Sequence, residues 1–276
     1  MYLRIGYTES TLLFYYWLTN IRHVETHIIN EVNDSLHNMI NWLYTTSGFY
    51  DKSIQGTYFN IDSHTALSSS VYTKYMSNLL EIVKNTELTL NFHNFSAPIL
   101  PYKQEFIQYL TSIVKRIDPY NISKSEIFNR IANKRVLIVN PMSSLMKQQY
   151  EVGNVQKLYP AFPSLISMDI YENPYTFFNN GPDSSILETA DKAYQEIQTK
   201  EFDVAIVSCG AYSSLIGHHI STVIGKEVIT LGGDLQSIFG IKTGRNKNVS
   251  FNEHWISVPV HLKPVDYMKI EDGCYW

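Results

Sequence analysis

The sequence predicts an α/β fold, with a Rossmann-like parallel sheet covered by helices on both faces and a helix-rich N-terminal half packed against it. Three apolar runs carry this reading: residues 136–139, residues 204–207, and residues 228–231, broken only by Thr230. Runs without alternation read as strands buried on both faces. Helical stripes lie between the later runs, and strand, helix, strand implies right-handed crossovers and parallel pairing. The whole chain of 276 residues is expected to form one domain, with residues 1–134 as the helical half and residues 135–276 as the Rossmann-like half.

Each element follows from its spacing. Val24, Ile28, Val32, Leu36, Ile40 and Leu43 recur on one helical face, and Leu67, Val71, Tyr75, Leu79 and Ile82 repeat the pattern. The period then changes to alternation at Leu88, Leu90 and Phe92, a short strand. A helix follows around Phe106, Leu110 and Val114, and Ser123 with Glu126 forms a capping box for the next. In the second half, residues 165–168 are a candidate strand. Ser185 and Glu188 cap a helix with the stripe Ile186, Ala190, Ala193, Tyr194 and Ile197. The helix through Leu215, Ile216, His219, Ile220 and Val223 stops at Gly225. Beyond Gly240 periodic signals are few, and the structure there is open.

Composition narrows the function. A net charge of -4 with only 22 Lys plus Arg leaves no footprint for nucleic acid. Charged residues are 17% of the chain, and Asn, Ser, Thr and 20 Tyr fill the deficit. Such a weakly charged polar surface suits hydroxyl-rich ligands, and it also arises from AT-rich codon usage. Cys209 and Cys274 form no CxxC pair and suit a reducing compartment. The apolar run at residues 11–18 is too short to span a bilayer and precedes no cleavage site, so a soluble, unprocessed cytoplasmic protein is expected.

In an open parallel sheet, ligands bind beyond the C-terminal ends of the strands. Three turns fall there. Asn140-Pro141-Met142-Ser143-Ser144 offers an amide and hydroxyls for a sugar or phosphate, or is an ordinary helix cap. Ser208-Cys209-Gly210-Ala211-Tyr212-Ser213 runs from strand into helix, where free N–H groups and the helix dipole would hold an anion. It is neither G-x-G-x-x-G nor a Walker A loop. Leu231-Gly232-Gly233-Asp234-Leu235-Gln236 sets the Asp234 carboxylate at a strand end, to touch a ribose, metal or acceptor hydroxyl, or to cap the next helix. His23 and His27 stand four apart, a zinc pair or a solvated helix face. Lys242, Arg245 and Lys247 form a basic cluster able to neutralise a diphosphate.

Two stretches together resemble the GT-D type glycosyltransferases. Arg4-Ile5-Gly6-Tyr7-Thr8-Glu9 matches the Arg-x-Gly-x-x-Glu element with which members typically open. Gly210-Ala211, Leu215, Gly225 and Gly233-Asp234-Leu235-Gln236 follow the order of the family's late strand, glycine, helix and acidic D-x-E-like motif. The ending Glu271-Asp272-Gly273-Cys274-Tyr275-Trp276 is similar to the Gly-Cys-Tyr-Trp terminus of some relatives. The likeness covers the first ten residues and roughly residue 135 to the end.

The resemblance implies a GT-D fold that transfers a sugar from a nucleotide-sugar donor, UDP-type, to a glycan or other hydroxyl acceptor. Glu9 and Asp234 are the implied catalytic carboxylates, and Asp234 stands where the family holds Mn²⁺ or Mg²⁺ with the diphosphate. Gln236 replaces the second acidic residue, and a neutral amide is a poorer ligand for either ion. Arg4, Gly6, Tyr7, Asn140, Ser143, Gly210, Ala211, Tyr212, Ser213, Gly233, Gln236, Lys242 and Arg245 are the expected nucleotide-sugar contacts. Tyr7, Tyr212, Trp255 and Tyr275 are candidate stacking rings. Arg4 and Glu9 could instead pair with each other to anchor the N-terminus. A homo-oligomer, a catalytically degenerate binding protein and another nucleotide-cofactor enzyme, such as one using S-adenosylmethionine, all stay compatible with the sequence.

Overall fold

The computed structural model describes residues 1–24, 33–55, 61–91 and 99–276. Seven parallel strands form one sheet: β1 (Tyr2–Ile5), β2 (Glu87–Leu90), β3 (Arg116–Ile117), β4 (Arg135–Val139), β5 (Ser167–Tyr171), β6 (Val204–Val207) and β7 (Glu227–Thr230). Their order is β3-β2-β1-β7-β6-β4-β5. The mixed α/β architecture with a parallel sheet agrees with the sequence. Its start at residue 135 does not. The sheet begins at Tyr2, and Tyr2 pairs with Ile229, so the N-terminal half supplies strands to the sheet as well as helices that pack against it. A four-residue strand followed at once by a helix is too short to show a period.

Alternate strand residues feed two cores. Leu3, Ile5, Leu137, Val139, Ala205 and Val207 face one side, and Tyr2, Val136, Ile138, Val204, Ile206 and Ile229 face the other. The first side is covered by α1 (Tyr7–Asn20), α2 (Asn33–Thr45), α3 (Ser63–Ser68), α4 (Ser70–Val83) and α5 (Leu100–Ile113), and later by α9 (Ile186–Ile197) and α10 (Tyr212–His219). The opposite side is covered by α6 (Lys124–Ile131), α7 (Ser143–Glu151), α8 (Asn154–Leu158) and α11 (Asp234–Ile238), with the C-terminal tail.

Several boundaries differ from the spacing. The apolar run at residues 11–18 lies within α1, which is buried on nearly every side because it sits between the sheet and the outer helices. Val24 lies outside any helix, and Ile28, Val32, His27 and Phe92 lie outside the described residues. The stripe from Leu67 to Ile82 is two helices, split where Ser69 turns extended and accepts from the N–H groups of Val71 and Tyr72. Ser123 caps α6 as expected, 3.1 Å from the Glu126 nitrogen. Ser185 makes no cap bond; Glu188 instead accepts from Ser184 Oγ at 2.6 Å. The strand expected at residues 165–168 begins at Ser167 and runs to Tyr171.

After α11 the tail forms a small parallel pair, β8 (Ile241–Lys242) with β9 (Ile256–Ser257), and a series of 3-10 turns. Among the described residues no helix is long and apolar enough to cross a membrane.

Candidate functional site

Because all seven strands point the same way, their C-terminal ends share one edge. A cavity of about 590 Å³ opens there. The segments after β1, β4, β5, β6 and β7 line it, together with the end of α2 and the tail. Of the expected residues, Arg4, Gly6, Tyr7, Glu9, Asn140, Gly210, Tyr212, Gly233, Gln236 and Arg245 lie in the wall. Asp234, Ser143, Ala211, Ser213 and Lys242 do not. Both cysteines are free thiols. Burial pushes the Cys209 thiol up to about 12, against the lowering bond from Ser213, so it stays protonated and weakly nucleophilic.

The first turn places a carboxyl in this wall. Gly6 is the N-cap of α1, and Glu9 sits in the first turn of that helix, 9% exposed. Burial raises its pKa; acceptance of its own backbone N–H and the charge of Arg4 pull the other way without cancelling the rise. The alternative of an Arg4–Glu9 ion pair does not form. Arg4 instead donates from Nε to Asn121 Oδ1 at 3.3 Å, and its N–H donates to Thr230 Oγ1 at 2.7 Å.

The turn after β7 lies between two guanidinium groups. A Cβ on Gly232 would overlap the Arg4 guanidinium, and one on Gly233 would stand 3.2 Å from Arg245 Cδ and 3.4 Å from its Nη1. The two positive groups therefore flank consecutive glycines. Gln236, expected as a weak metal ligand, is 5% exposed and donates from Nε2 to the Tyr275 carbonyl at 3.1 Å. That bond fixes the amide orientation, and its Oε1 has no partner among the described residues. Asn173 repeats the situation: Nδ2 donates to the Pro174 carbonyl at 3.0 Å and the buried Oδ1 is unpartnered.

Asp234 opens α11 outside the cavity wall and is exposed. Among the described residues no group of three or more His, Cys, Asp and Glu is placed to hold a metal. His23 is described, and its expected zinc partner His27 is not.

The Gly210 turn corrects an electrostatic expectation. Its N–H groups are largely spent within the protein: Cys209 N donates to Ser213 Oγ, Ala211 N to Ser47 O, Tyr212 N to Cys209 O and Ser213 N to Gly210 O. Little of the helix terminus is left to hold an anion. Gly210 itself has φ +59, and a Cβ there would collide with the Ser47 carbonyl. Asn140 is also committed, donating to Ser208 O and accepting from Met142 N, which ties the first two turns together. Ser143 Oγ is buried without a partner among the described residues.

The basic cluster separates. Arg245 faces the cavity, while Lys242 lies over the Phe251 ring at 5.4 Å. Trp255 packs on Phe251 at 5.1 Å, away from the wall, whereas Tyr7, Tyr212 and Tyr275 line it. Trp42, Thr46, Ser47 and Gly48, and residues 173–177, also line the cavity without having been singled out in the sequence. The second group follows a strand end, and only the displaced boundary of β5 hid it. No protein-family model, curated protein or solved structure gives a significant match to this chain.

Proposed function

We propose that the cavity binds a nucleoside-diphosphate sugar and that the protein is a glycosyltransferase of GT-D type acting on a hydroxyl acceptor. The observation that carries this reading is the pair Arg4 and Arg245 flanking Gly232-Gly233 in the same cavity as the buried Glu9 carboxyl. Guanidinium groups match phosphate oxygens in geometry and stay charged. Glycines at the turn leave room beside the backbone for the two guanidinium groups themselves. The partnerless oxygens of Gln236 and Asn173 suit the hydroxyl groups of a sugar or ribose, and Trp42, Tyr175 and Phe177 supply rings for stacking.

In this reading the acceptor oxygen forms a bond to the anomeric carbon as the carbon–oxygen bond to the diphosphate breaks. The two arginines stabilise the charge that grows on the leaving diphosphate. Glu9 takes the acceptor's proton; a raised pKa makes it a stronger base than an exposed carboxylate. No step is assigned to Asp234 or to a metal.

Incubation with UDP-, GDP- and dTDP-sugars, with and without Mn²⁺, tests the proposal. Binding of at least one donor, transfer of its sugar to a hydroxyl acceptor and release of the nucleoside diphosphate are expected; failure of all donors to bind overturns it. Asp234's place outside the cavity favours a second reading, a nucleotide- or glycan-binding protein without transfer activity. Tight binding with no turnover under any acceptor selects that one.

A further inference from the structure

The C-terminal tail holds Arg245 in an unusually complete way. Its guanidinium carbon stands 4.0 Å from the centre of the Tyr275 ring, and Nη2 donates to Glu271 Oε2 at 3.0 Å and to the Tyr275 hydroxyl. Nε donates to Cys274 Sγ at 3.5 Å. Only Nη1 is left without an acceptor among the described residues, and it is the nitrogen nearest Gly233.

The tail is itself fixed from other directions. Arg245 N donates to Cys274 O at 3.2 Å, and Gly244 lets the two backbones meet, since its Cβ would lie 2.9 Å from Cys274 Cα. Trp276 donates from its indole to Tyr175 OH at 3.2 Å and packs against Phe177 and Tyr267. Tyr275 thus rests on a firm base while its ring and hydroxyl meet the guanidinium.

We propose that Tyr275 and Glu271 are positioning residues for Arg245, turning its single uncommitted edge toward Gly233 to take one phosphoryl group of a diphosphate-bearing ligand. This rests on reading the cavity as a nucleoside-diphosphate site. Arg245's planar fork can be held from behind and still present two N–H donors in front, which a lysine could not do. Holding it this way lowers the ordering cost when the ligand arrives.

The sign of one substitution separates positioning from competition. Glu271 is a nearby negative charge, so by its field alone removing it would tighten an anion. If it positions Arg245, removing it weakens the anion instead. Calorimetric titration with inorganic pyrophosphate, and with uridine as a phosphate-free control, compares the wild type with Glu271→Leu, Tyr275→Phe, Tyr275→Leu and Arg245→Ala. Expected are a loss of about tenfold in pyrophosphate affinity for Glu271→Leu and Tyr275→Leu, and a loss within about threefold for Tyr275→Phe, which keeps the ring. No change for uridine is expected.

Tyr275→Leu combined with Arg245→Ala is expected to bind no more weakly than Arg245→Ala alone, because both act through one group. Tighter pyrophosphate binding by Glu271→Leu, additivity in the double variant, or no pyrophosphate binding by the wild type overturns the proposal. Glu271 is an exposed side chain, so its variant tests the idea even where Tyr275→Leu fails to fold. Pyrophosphate bound through Arg245 with no nucleotide sugar bound leaves the positioning intact and overturns only the donor assignment.

Discussion

Glu9 folds its carboxylate back over Gly6, so closely that a Cβ at position 6 would stand 2.6 Å from Glu9 Oε2. Gly6 has φ -65 and ψ 169, a conformation open to any residue, so the glycine is required by the neighbouring carboxylate and not by the backbone. The spacing Gly-x-x-Glu is thus a steric device that seats a buried carboxyl at the start of α1.

Gly6→Ala is accordingly expected to fold with a loss of no more than about 1 kcal/mol, because only the flexible end of Glu9 must move. Glycosyl transfer is expected to fall at least about tenfold as the carboxylate leaves its seat. Thermal melts and turnover measured side by side check this; a variant that keeps full turnover removes Glu9 from the mechanism.

Glu9 also predicts a pH dependence. Its folded pKa lies above its ordinary value of 4.5, so in the window between the two the native state keeps a proton that the unfolded chain has released. Stability therefore falls as pH rises through that window, and the cost is complete above the folded pKa. Glu9→Gln lacks this term. The melting temperature of Glu9→Gln relative to wild type is expected to climb as pH rises above the ordinary value of 4.5 and to level off once the folded carboxyl has ionised. A flat difference would mean that the carboxyl ionises on folding as it does in water.

Gly210 offers the opposite case from Gly6. Its φ of +59 lies in the left-handed region, and the atom that a Cβ would meet is the backbone oxygen of Ser47, which is fixed by its bond from Ala211 N at 2.7 Å. Gly210→Ala is expected to cost about 3 kcal/mol, combining the left-handed penalty with displacement of backbone. Denaturant titration measures it. A cost below about 1 kcal/mol would show that the contact between the Gly210 turn and Ser47 is loose.

Asp234 and Arg4 separate the two sides of the diglycine turn. Asp234→Ala is expected to change donor affinity by less than about twofold, since the side chain is exposed and outside the wall. Arg4→Ala is expected to weaken donor binding about tenfold or more. Equilibrium titration of both variants with one donor decides the matter, and a large loss in Asp234→Ala would return the carboxylate to the site.

Much of the parallel sheet was legible because β4, β6 and β7 are buried on both faces and their apolar runs advertise it. The rule that ligands gather beyond strand ends also led to Asn140, Gly210 and Gly233, whereas Gly6 came from the resemblance carried by residues 4–9. Strands β1 and β3 were not legible. Tyr2–Ile5 and Arg116–Ile117 are short, and their pairing depends on partners more than 80 residues or about 30 residues away, which local spacing does not encode.

What the sequence determined by itself was local: the α/β character, the buried strands, the cap at Ser123, and the residue types that chemistry at a strand end would use. Tertiary structure alone decided which of those residues share a cavity. Asp234 and Gln236 are two apart, yet helix geometry turns one outward and the other into the wall. Arg4 and Arg245 are 241 positions apart, yet the pairing of β1 with β7 and the return of the tail bring them to adjacent glycines. Periodicity reports which face a side chain takes on its own element; only the packing of elements reports what stands opposite it.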